Sequence, residues 1–146
     1  MRHHAARLAV AGAAILAAPA AVLPLAADAR SHRTHRPPPN VTLWRSMAVN
    51  ESEWTLRPGH LNFAAGSIRI HVYNLGMDDH DVTVADRSGR ILAARGVVAK
   101  VGTKSGEAVF SVKLKPGRYK LYCSLFANTP DSHEDRGMVA SIRVYS

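Results

Sequence analysis

The sequence predicts an all-β domain of Greek-key β-sandwich form, preceded by a signal peptide and a short basic tether. Three observations carry this prediction. From residue 41 onward, runs with apolar residues at every second position recur, separated by turn-forming clusters. No stretch after residue 40 has the 3.6-residue apolar period of an amphipathic helix. The segment "LKPGRY", residues 114–119, sets a Pro-Gly turn before a tyrosine that enters the next run, as in the tyrosine corner of such sandwiches.

Residues 1–29 read as the signal peptide. "MRHHAAR" is a positive leader, "LAVAGAAILAAPAAVLPLAA" a small-residue apolar run, and "ADA" a cleavage site that places the cut before Arg30. Pro19 and Pro24 argue against the rival reading, an uncleaved membrane anchor. The chain is thus expected to be exported, to a periplasm or the extracellular space. The leader carries Arg2, Arg7 and Asp28, so its removal lowers the net charge from +8 to +7. Residues 30–40, "RSHRTHRPPPN", form a basic, Pro-rich tether with no means to fold alone. The domain occupies residues 41–146.

Within it, "VTLWRS" at 41 and "EWTLRPG" at 53 are weak strand candidates. "SIRIHVYN" at 67–74 alternates, with Ile68, Ile70 and Val72 on one face. "HDVTV" at 80–84 alternates again and "DRSGR" closes it with a turn. Residues 90–106 read as a strand or loop excursion. Two alternating runs flank Pro116-Gly117, and "MVASIRVYS" is a final strand. No basic stripe interleaved with aromatics is present, which excludes a nucleic-acid partner, whereas contact with an anionic membrane surface is compatible with the charge.

Cys123 is the chain's one cysteine, so it has no intramolecular disulfide partner. Its phase, with Tyr119 and Leu121, points it inward at a strand end. Met138 is in phase with Ala140, Ile142 and Val144, and His80 with Val82 and Val84, while His133 lies in the loop between Cys123 and Met138. Taken singly, these residues read as a packed thiol, a core methionine and surface histidines. Together they form the donor set of a blue-copper centre, a trigon of two imidazoles and a thiolate with a weak axial thioether. His71 is out of phase with its core face, His60 sits in a Pro-Gly turn, and His32 and His35 lie in the tether, so none is read as a ligand. Met77 is expected to cap the core near the site. Asp78, Asp79 and Asp81 lack calcium-ligand spacing.

Residues 61–146 resemble the cupredoxins of the plastocyanin and azurin type. "LNFAAGSIRIHVYNLGMDDHDVTV" looks like the family's first half, leading through Asn-x-Gly to the first histidine, here His80. "LKPGRYKLYCSLFANTPDSHEDRGMVASIRV" looks like its second half, with Cys123, His133 and Met138 in order. The resemblance implies one copper ion held by His80, Cys123, His133 and Met138. Two departures stand out. Nine residues separate Cys123 from His133 where the family has two to four, and Asp81 replaces the usual asparagine after the first ligand. Asp81 is expected to accept from the backbone or hydroxyl of Ser124, tying the ligand loops together.

The function implied is a monomeric one-electron carrier that meets a redox protein partner, with His133 at the solvent edge and Leu125 and Phe126 as an apolar docking patch. The alternative is a copper-delivery protein, exchanging metal with a donor or acceptor and favoured by an open ligand loop. An enzyme is not expected, because the domain lacks the His-x-His pairs of multicopper oxidases and any nucleophile arrangement.

Overall fold

The computed structural model describes residues 36–146, which form nine strands and, within that range, no helix. The expected signal peptide and residues 30–35 of the tether lie outside the described residues. The strands are β1 (Ser46–Ser52), β2 (Thr55–Pro58), β3 (Asn62–Ala64), β4 (Gly66–Asn74), β5 (His80–Asp86), β6 (Ile91–Val97), β7 (Gly106–Leu114), β8 (Gly117–Tyr122) and β9 (Val139–Tyr145). They pack as two sheets, in the orders β2-β1-β4-β7 and β3-β9-β8-β5-β6. Most pairs are antiparallel. The exceptions are β1 with β4, where Met47 faces Ile70, and β3 with β9, where Phe63 faces Val144.

Period-two patterning decides which side chains meet between the sheets. Met47 and Val49 of β1, Ile68, Ile70 and Val72 of β4, and Val112 and Leu114 of β7 project from the first sheet. Phe63, Val82, Val84, Leu121, Ile142 and Val144 project from the second. All are buried, and removing their apolar surface from water is the main stabilising term. The tyrosine corner forms as expected. Tyr119 donates its hydroxyl to the Lys115 carbonyl at 2.7 Å, fixing the β7–β8 turn to β8.

The weak early candidates need correction. The first strand runs Ser46–Ser52, so "VTLWRS" supplies only its start, and Trp44 makes an isolated bridge to Phe63. "EWTLRPG" narrows to Thr55–Pro58, because Glu53 and Trp54 form the turn of a tight hairpin. Residues 90–106 split into strand β6 and a loop.

Register places one end of the sandwich as the functional end. There His80 pairs with Val97, Asn74 with Gly106, Tyr122 with Val139, and Ser52 with Thr55.

Candidate metal centre

Three chain segments meet at this end. The first is the β4–β5 loop, which delivers His80. Asn74 is fully buried, and its side chain builds the loop: its amide donates to the carbonyls of Asp78 (2.8 Å) and Val97 (3.3 Å), and its oxygen accepts from Gly76 N (2.9 Å). That is an Asx turn, the physical use of the Asn-x-Gly spacing. Glu53 adds a second clamp, its carboxylate accepting from the backbone N–H groups of Met77 and Asp78.

The second segment runs from Cys123 to Met138. Cys123 N donates to the Met138 carbonyl at 3.0 Å, and Met138 N donates to the His133 carbonyl at 3.0 Å, so the backbone brings all three residues together. The nine intervening residues do not separate Cys123 from His133. They fold outward as successive turns, Ala127 N to Ser124 O (3.3 Å), Thr129 N to Phe126 O (3.1 Å) and Ser132 N to Thr129 O (3.1 Å). The bulge closes at its neck, where His133 N donates to Leu125 O at 3.2 Å. Phe126 and Asn128 adopt positive φ to make these reversals.

The third segment is the β1–β2 turn. Trp54, at φ 60°, sets its ring edge-on to His133 with centroids 5.0 Å apart. Its carbonyl lies 3.1 Å from where a Cβ would stand on Gly137, whose φ is 118°. Glycine is needed there for both reasons.

The donor atoms converge. His80 Nδ1 lies 3.2 Å from His133 Nδ1, and Cys123 Sγ lies 3.3 Å from the same His133 nitrogen. One ligand atom from each of the three residues lies within 4.8 Å of the other two, and all three residues are buried. Met138 is fully buried beside them. Two imidazole Nδ1 atoms and a thiol sulfur turned to one another present three lone-pair donors to a single buried point. A cation fits among them, and the mixed nitrogen and sulfur donors suit a copper ion. His80 Nε2 is buried with no hydrogen-bond partner among the described residues.

The surroundings tune these donors. Burial pushes the Cys123 thiol up to about 11; the N–H groups of Leu125 and Asp81 work against this, and the charges of Asp81 and Glu51 add to it. Asp81 N donates to Cys123 Sγ at 3.4 Å. Burial, then the charge of His133, lowers the His80 pKa, which keeps its ring neutral and ready to ligate. Asp81 makes the expected tie: its carboxylate accepts from Ser124 N at 2.7 Å and from the Ser124 hydroxyl.

Other expectations meet differences. His133 is not at the solvent edge but 3% exposed, lying under Trp54 and Phe126 at the floor of a cavity of about 750 Å³. Met77 does not cap the core; it is 70% exposed on the rim of that cavity. His71 instead accepts or donates with Tyr73 and Glu107, and His60 stacks on Trp44 at 3.7 Å, both apart from the site. Sequence reasoning missed Trp54, Glu53 and Glu51. Glu51 is 1% exposed, projects inward from β1 at this end, and has neither oxygen hydrogen-bonded. Burial, then the Asp81 charge, raises its pKa to about 8. Its place in the alternation with Met47 and Val49 was the available signal.

No protein-family model and no curated protein matches the chain. Among solved structures, it is similar to auracyanin from the photosynthetic bacterium Roseiflexus castenholzii, with a TM-score of 0.53 and 16% identity over 72% of this chain and 100% of that one. It is also similar to rusticyanin from Thiobacillus ferrooxidans, with a TM-score of 0.49 and 15% identity over 69% and 78%. A purple cupredoxin from Nitrosopumilus maritimus matches with a TM-score of 0.42 and 17% identity over 69% and 99%. At these identities the likeness is one of fold.

Proposed function

From a chain that has the cupredoxin fold, with two histidines and a thiol converging at one end of it, we propose a small copper protein that carries single electrons. One ion would be held by His80, Cys123, His133 and Met138. The observation that carries this reading is the approach of the His80, Cys123 and His133 donor atoms within 4.8 Å in a buried site. Bound copper supplies one-electron exchange between Cu(I) and Cu(II).

The chain's own residues do the rest. The N–H of Asp81 stabilises negative charge on Sγ. The Asp81–Ser124 tie and the closed neck at Leu125–His133 hold the donors fixed, so little rearrangement accompanies a change of charge. Four donors from the protein leave no position for a substrate, which favours a carrier over an enzyme. Electrons would leave through the His133 ring toward the cavity it floors, where Leu125, Phe126 and Met77 offer an apolar rim to a redox protein. Export to a periplasm or the extracellular space, and a monomeric state, belong to the same proposal.

Copper delivery remains the second reading because Met77, a soft donor, stands exposed at the cavity rim. The closed neck and buried His133 favour the carrier. The test is to load the chain with one equivalent of Cu(II) and record absorption and EPR spectra. An intense thiolate-to-copper band with narrow hyperfine splitting, lost in Cys123→Ser and preserved through cycles of reduction and reoxidation, is expected. A pale tetragonal signal, or release of the metal on reduction, transfers the case to delivery. Failure to bind in either oxidation state overturns both.

A further inference from the structure

Charge is sorted along the strand axis. Nine of the ten Asp and Glu side chains among the described residues lie in the half that carries His80, Cys123 and His133; the tenth is Asp86. The opposite tip is built from the turn after β5, the turn before β8 and the end of β9. It gathers Arg87, Arg90, Lys115, Arg118 and Arg143, with Lys113 just behind. Asp86 there is already engaged by Ser88 and by Arg90 at 3.1 Å. Arg87, Lys113, Lys115 and Arg118 are exposed. Arg87, Arg118 and Arg143 line one open cavity of about 600 Å³, with Ser88 and Gly117 in its wall.

We infer that this tip docks on an anionic phospholipid surface, with headgroup phosphates taken by Arg87, Arg118 and Arg143 and the metal-binding end turned outward. Guanidinium forks suit phosphate oxygens, and two adjacent turns present their cations together at one end of the molecule. No exposed aromatic lines the cavity, since its one ring, Tyr119, is 9% exposed, so the stacking that nucleic acids use is not offered. The acidic half is repelled by the same surface, which gives the contact one orientation. The chain reaches the sandwich alongside β3, through Trp44 N to Asn62 O and Ala64 N to Trp44 O. Just upstream the sequence adds Arg30, Arg33 and Arg36. The inference does not depend on copper.

Sedimentation of the full chain with vesicles tests it. The vesicles are phosphatidylcholine alone, or phosphatidylcholine with about a third phosphatidylglycerol, at ~0.1 M and ~0.5 M salt. The readout is the extra binding on anionic vesicles that disappears at high salt; membrane insertion by the apolar leader is common to every variant and does not respond to salt. The expected result is that Arg87→Gln and Arg118→Gln each lower this increment about fivefold and act together, while Lys104→Gln at the other end leaves it unchanged. Both arginines are exposed, and an unchanged melting temperature verifies the fold. The inference is overturned if the increment is absent, if it survives the double substitution, if millimolar inorganic phosphate abolishes it at constant ionic strength, or if duplex DNA competes more strongly than the vesicles.

Discussion

A thiol pushed up to about 11 keeps its proton at neutral pH, so a metal that takes Cys123 as thiolate must expel it. Apparent copper affinity should therefore rise about tenfold per pH unit between roughly pH 7 and 9, as measured by chelator competition; a flat profile would remove Cys123 from the ligand set. Asp81 acts through charge as well as geometry. Asp81→Asn keeps an oxygen for Ser124 N and removes a negative charge near Sγ, which favours Cu(I). Voltammetry should record a rise on the order of 50–100 mV, from a unit charge at roughly 8 Å in an effective dielectric of about 20. Glu51 gives a stability signature. Its folded pKa of about 8 exceeds the ordinary 4.5, so the folded state binds more protons than the unfolded state between those values. Stability is untouched below that window, falls as pH rises through it, and levels off above it, a loss on the order of a few kcal/mol. In the copper-free chain, Glu51→Gln should match the parent near pH 4.5 and surpass it above pH 8 in urea midpoints. Parallel midpoint curves would show that Glu51 is ionised in the fold.

At the scale of elements, the Cys123–Met138 loop and the β1–β2 turn support each other through Gly137 and Trp54. Gly137→Ala would place a Cβ at φ 118° and 3.1 Å from the Trp54 carbonyl, and either loop must move. A cost of about 1–3 kcal/mol in thermal unfolding is expected, with a broadened copper absorption band because His133 loses its lid. The elements that were legible in the sequence are those read from a period of two, β4, β5, β7, β8 and β9, although β5 proves buried on both faces. β1 was misplaced because its inward positions end in Glu51, where a polar residue breaks the apolar pattern. β3, of three residues, is too short to carry a period, and β6 exposes most of its length at a sheet edge, so its pattern is weak. The order of the donors could be read directly. The return of His133 to Cys123 could not, since backbone turns at Phe126 and Asn128 accomplish it, and while asparagine favours a left-handed bend, phenylalanine gives no sign of one. Trp54 reaches His133 across the sandwich, and no local spacing encodes that contact.

For the whole molecule, the sandwich was legible because many short alternating runs without helices admit few architectures. Its parallel pairings were not, because they join segments that no hairpin connects: β1 lies beside β4, and β3 lies beside β9, the one named strand of its sheet that it pairs with. A chain ending at Met138 should lose cooperative unfolding by circular dichroism and show no copper–thiolate band. Cooperative melting of that truncated form would mean that β9 is dispensable. The same pairing bears on the order of events when the protein is made. Synthesis runs from the N-terminus, so residue 62 waits for residue 143, and the loop holding three of the four proposed donors is anchored only once the last strand has been delivered. Metal loading would thereby wait for β9, and a nascent chain that still lacks this strand has no formed pocket in which to capture the wrong ion.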